Sequence, residues 1–143
     1  MSSIPARPLR WPSTSETAVF VSGIASMGLE ILAGRIVAPQ FGSSIYTWGS
    51  IIGVFLAALS LGYHYGGKRA ARRASVDRLA WLLLGTAAYI AVVIFAGDVL
   101  LAAGSSFPLP SRFASLPAIT LLFGPPTYLL GFISPYAAEL SGT

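Results

Sequence analysis

Cysteine is absent from the 143 residues, and histidine occurs once. The first absence excludes disulfides, thiolate metal sites and thiol nucleophiles together; the second leaves a metal ion short of ligands. No metal and no cofactor are expected. Charge is scarce as well: charged side chains make up 10% of the chain, against roughly 25% in soluble domains. Hydrophobic residues reach 55%. The net charge of +4 is also unevenly placed, because five of the nine Lys and Arg residues fall between Lys68 and Arg78 and two lie in the tail, at Arg7 and Arg10. Positive charge gathered in this way is an orientation signal for a membrane protein, and no nucleic-acid partner is expected.

What the chain has is long apolar runs, and the partner they call for is a lipid bilayer. The tail before residue 14 carries prolines, Arg7, Arg10 and Trp11, which suits a cytoplasmic segment at the membrane surface. Ser13 and Glu16 have the spacing of a capping box, so the first helix is predicted over about 14–38. A secretory signal would be shorter and would not contain Glu30 and Arg35. Pro39 to Ser44 forms a turn, followed by Tyr46 and Trp48 where an interfacial aromatic belt would stand. Further helices are predicted over about 46–66, 79–103 and 116–140, each near the ~20 residues that cross the hydrocarbon. Lys68, Arg69, Arg72, Arg73 and Arg78 make a basic loop between the second and third. By the positive-inside rule that loop is cytoplasmic, and so are both termini; Arg112 alone falls in the opposite loop. The expected fold is all-α: a polytopic bundle of four transmembrane helices, multi-pass in the cell membrane.

In lipid, helices associate through close backbone approach and polar contacts. Gly49, Gly53, Ala58, Gly62 and Gly66 give the second helix a nearly bare packing stripe. On the first, Ser22, Ser26, Glu30 and Gly34 recur every four residues and share a side, which turns Glu30 into the bundle. Counting heights at 1.5 Å per residue puts Asp98 near the level of Arg35, and His64 far below Glu30. We therefore expect an Arg35–Asp98 pair, with Glu30 left to Ser26, Tyr or backbone partners, and His64 at the interface. Ionisable residues inside a membrane cost about 2.5–3.5 kcal/mol each and mark functional sites by default. A carboxyl group in apolar surroundings suits proton exchange or the binding of an amine.

The fourth segment contains Gly124-Pro125-Pro126 and, further on, Ser134-Pro135. Each proline removes an N–H and clashes with the preceding turn, so this helix should be kinked or broken, with carbonyls near Thr120 to Leu122 freed. Transporters place such irregular backbone at substrate sites, and a packing kink is the plainer reading.

The run Gly-Leu-Glu30-Ile-Leu-Ala-Gly-Arg35-Ile-Val-Ala-Pro39-Gln-Phe-Gly42, then Tyr46, Trp48, Gly53 and Leu61-Gly62-Tyr63 through Gly66-Gly67-Lys68, resembles the membrane segment of spermidine synthase-like membrane proteins. Leu-Leu-Gly131-Phe-Ile-Ser-Pro135 resembles a later helix of the same family. In that family, transmembrane helices accompany a soluble aminopropyltransferase domain that takes decarboxylated S-adenosylmethionine. The Gly-rich loop and acidic pair of that domain do not occur in this sequence, so this chain by itself is not expected to be an enzyme. The resemblance implies an integral membrane module that anchors or serves a polyamine-handling transferase domain, with that domain or further membrane helices as partners. Two alternatives stand beside it. A small proton-coupled exporter of organic cations or multiple drugs would use Glu30, and a structural assembly subunit, with or without homo-oligomerisation, would use the glycine stripe.

Overall fold

In the computed structural model, residues 13–104 and 115–142 are described. They form four helices and no strand: α1 (Thr14–Phe41), α2 (Ile45–Arg73), α3 (Val76–Gly104) and α4 (Ser115–Gly142). All four are long and apolar enough to cross a membrane. Residues 1–12, expected as a surface tail, and the expected outer loop with Arg112 lie outside the described residues.

Serines start three of the helices. Ser13 caps α1 through a complete capping box: its Oγ accepts from the Glu16 N–H, and the Glu16 carboxylate accepts from the Ser13 N–H at 2.7 Å. Ser44 caps α2 by accepting from the Thr47 N–H, and Ser75 caps α3 by accepting from the Arg78 N–H. The turn between α1 and α2 closes at Gly42, where φ is +78°, a conformation that L side chains rarely adopt. Pro39 falls within the last turn of α1, so the helix runs past it to Phe41.

The basic loop is mostly helix. α2 continues beyond Gly66 through Lys68, Arg69, Arg72 and Arg73, and α3 begins before Arg78, so that only Ala74 and Ser75 link them. Lys, Arg and Ala are strong helix formers, and cations at a helix C-terminus oppose no dipole. Reading charge as loop therefore ended α2 too early.

α4 is the centre of the bundle. α2, α3 and α1 all pack on it, in that order of extent, and α2 and α3, although consecutive, flank it without packing side by side along their lengths. Its Ile119, Leu122, Phe123 and Ile133 are fully buried. Large apolar side chains face outward elsewhere, Phe95 being 89% exposed and Phe20 69%. In water such a surface would be strongly unfavourable; against lipid tails it is the expected outside. α4 is also unbroken across Pro125, Pro126 and Pro135. Of the two outcomes anticipated for it, a break does not occur.

α2 and α4 run parallel and meet most closely at Gly62 and Gly131. A Cβ added to Gly62 would stand 2.8 Å from the Gly131 Cα and against the Tyr128 carbonyl, and one added to Gly131 would stand 2.9 Å from the Gly62 Cα. One turn further, Gly66 accommodates Phe132 and Pro135. Ser15 and Ser141 hydroxyls lie 3.1 Å apart, so the start of α1 and the end of α4 share one end of the bundle.

Candidate functional site

The polar groups anticipated as an intramembrane site are dispersed. Ser22 is buried and donates to the Val19 carbonyl at 2.8 Å, and Gly34 is buried against the Trp48 ring, whose Cη2 would be 2.7 Å from an added Cβ. Between them on this face, Ser26 and Glu30 are half-buried. Neither hydrogen-bonds the other. Arg35 and Asp98 both stand exposed, and no ion pair or hydrogen bond joins them. Equal height is not enough: α1 and α3 touch only slightly because α4 holds them apart, which the count along each helix could not register. His64 is exposed on α2 and meets the Tyr65 ring edge-on at 5.3 Å. Among the described residues, no three His, Cys, Asp or Glu side chains gather to hold a metal.

The prolines of α4 free a carbonyl where the sequence places one, between Thr120 and Leu122. Pro125 cannot donate to the Leu121 carbonyl, which is thereby freed, and the Tyr89 hydroxyl on α3 donates to that oxygen at 2.7 Å. A side chain of a neighbouring helix thus satisfies this oxygen, as a packing contact does. No sequence signal tied Tyr89 to this carbonyl, since the two residues come from different helices.

Two cavities accompany these contacts. The larger, about 930 Å³, is an apolar groove along α2 and α4. α2 contributes Gly49, Gly53 and Ala57 to it, and α4 contributes Thr120, Gly124 and Pro125. Gly49 and Gly53 were expected to pack beside Gly62 and Gly66, but nothing lies within 4 Å of a Cβ added to either. The expected stripe is not one line: the step from Gly53 to Ala58 is five residues, which turns Gly49 and Gly53 about half a turn around α2 from Gly62 and Gly66, so the second pair is buried against α4 and the first is exposed. Glu30 is not among the residues of this groove. Thr127 in the core has a buried hydroxyl with no hydrogen-bond partner.

The smaller cavity, about 580 Å³, lies at the basic end between the last turns of α2 and the first turns of α3, with α4 beneath. Arg69, Arg72, Arg73 and Arg78 line it. The Arg78 guanidinium donates to the Arg73 carbonyl at 3.0 Å, which fixes it across the α2–α3 link. Lys68 is exposed on the same helix and is not part of this cavity.

Comparison of the chain with protein-family models, curated proteins and solved structures finds no match.

Proposed function

We propose that this chain is a multi-pass cell-membrane scaffold of the spermidine synthase-like type, with both termini cytoplasmic, that holds a polyamine-handling aminopropyltransferase domain through a further transmembrane helix seated in the α2–α4 groove. The observation that carries this reading is the pair Gly49 and Gly53. They stand at small-residue spacing on an apolar groove, and among the described residues nothing lies within 4 Å of a Cβ added to either. Such a surface allows the close backbone approach on which helix association in lipid depends. Its apolar lining suits a helix better than a hydrated amine.

The chain contributes no catalytic group in this proposal. Proton-coupled exchange of organic cations through Glu30 is the second reading; Glu30 does not line the α2–α4 groove that carries the first.

The test is aminopropyl transfer from decarboxylated S-adenosylmethionine to putrescine, assayed on material purified with the tagged chain from its own membranes. Activity should accompany the wild-type chain and fall several-fold with Gly53→Leu, while the amount of inserted chain stays constant. Absence of transfer from the wild-type material, or equal activity with Gly53→Leu, overturns the proposal.

A further inference from the structure

We infer that the arginine-lined cavity at the basic end is a binding site for an anionic phospholipid, with the phosphate held by the arginines and an acyl chain laid along the apolar floor. The site is composed in two layers. Arg69, Arg72 and Arg73 come from consecutive turns of α2 and Arg78 from the first turn of α3, so four arginines line one opening. No carboxylate is among the residues that line it. Beneath them the lining is apolar: Trp81, Leu82 and Gly85 from α3, and Leu129, Phe132 and Tyr136 from α4.

The floor is rigid. Tyr128, Phe132 and Tyr136 recur every four residues along α4, with ring centroids 5.0 Å apart for the first pair and 6.4 Å for the second. Phe132 is in turn wedged against Gly66 of α2. The cavity exists because α2 and α3 are joined by two residues yet lie on different sides of α4, which leaves a gap at their shared end.

Four like charges around one opening repel one another unless an anion compensates them. A phosphodiester does so with oxygens that guanidinium groups grip in pairs. Arg78 is positioned for this: one of its nitrogens is committed to the Arg73 carbonyl, and its remaining N–H groups are available to a ligand.

Depth separates a lipid from a soluble anion. α2 has 29 residues, about 43 Å of helix against a hydrocarbon core of ~30 Å. Its last turns, which bear the arginines, therefore stand among headgroups when the apolar remainder is immersed. Trp81 follows the start of α3 by five residues, about 8 Å, and is 75% exposed, as an indole at the boundary between headgroup and acyl chain would be. A soluble phosphate would use the arginines and leave the aromatic floor without a role.

The experiment uses the full chain with Trp11→Phe and Trp48→Phe, so that Trp81 is the sole indole, in nanodiscs containing brominated lipid. Brominated phosphatidylglycerol should associate with Trp81 at least about five-fold more strongly than brominated phosphatidylcholine. Arg72→Gln/Arg73→Gln should reduce that preference to near unity, and Arg78→Lys, which keeps the charge but loses the fork, should reduce it in part. Lys68→Gln should leave it unchanged. Equal quenching by the two lipids overturns the inference. So does an equal loss in Lys68→Gln, which would make the effect one of general surface charge, and so does displacement of the brominated lipid by millimolar inorganic phosphate, which would make the site one for a soluble ion. Circular dichroism of each variant keeps a folding defect distinct from lost binding, and Arg72→Lys/Arg73→Lys supplies the comparison if the glutamine pair does not fold.

Discussion

The Tyr89 hydroxyl on α3 donates to the Leu121 carbonyl on α4 at 2.7 Å, replacing the backbone N–H that Pro125 lacks. The proline defect and its repair thus sit on different helices. This contact satisfies the first of the two oxygens that the Gly-Pro-Pro run frees; Pro126 likewise lacks the N–H that would reach the Leu122 carbonyl. Tyr89→Phe should destabilise the bundle by about 1 kcal/mol, within the range for hydrogen bonds between membrane helices. In a Pro125→Ala background the cost should shrink, because residue 125 can then donate to Leu121 itself. A double-mutant cycle by detergent denaturation reads the coupling, and additive effects would argue that the hydroxyl does not serve this carbonyl.

Substitution of the α2 glycines should divide into two classes. Gly62→Ala drives a methyl group into the backbone of α4 and should cost about 1–3 kcal/mol. Gly53→Ala meets open space and should be neutral or stabilising, since Ala favours helix over Gly. Denaturation of the two variants under the same conditions checks the contrast; similar losses in both would mean that the groove is filled in the native bundle.

Ser13→Ala should loosen the entry to α1 at a cost of about 1 kcal/mol, since the Glu16 N–H loses its acceptor while the backbone N–H of residue 13 can still donate to the Glu16 carboxylate. Amide hydrogen exchange in the first turn of α1 should accelerate while exchange in α4 is unchanged. Uniform acceleration would instead indicate a global role for the cap.

Gly34→Val should displace the Trp48 ring, whose nearest atom would be 2.7 Å from the new Cβ. We expect a shift in Trp48 emission in a chain where Trp11 and Trp81 are phenylalanine. An unchanged spectrum would place the ring away from Gly34.

Orientation is open to direct labelling because the chain has no cysteine of its own. Ser43→Cys, in the α1–α2 turn, should react with a membrane-impermeant maleimide on intact cells, whereas Ala71→Cys, among the arginines of α2, should react only after permeabilisation. The reverse pattern would invert the proposed topology.

Local signals were the most legible. The capping box could be read because Ser13 and Glu16 are three residues apart and need nothing else. The four spans could be read because a bilayer requires length and apolarity of each helix separately. Gly62 and Gly66 are not one stripe with Gly49 and Gly53: the five-residue step from Gly53 to Ala58 puts the two pairs on different faces of α2, which the spacing alone reveals. Counting reaches its limit at Arg35 and Asp98: their heights follow from it, but their azimuths depend on α4 standing between their helices. The charged turns of α2 were lost to a different cause, because a run of arginines ends a hydrophobic span without ending a helix.

The central place of α4 bears on how the protein is made. A ribosome delivers helices in chain order, so α1, α2 and α3 enter the bilayer before the helix against which each of them chiefly packs. Until α4 arrives, the glycines of α2 and the hydroxyl of Tyr89 have no native counterpart. Nascent α2 and α3 must therefore remain apart, tethered by two residues, long enough for the last helix to slot between them. Anything that keeps such a gap open during synthesis would favour the docking of α4.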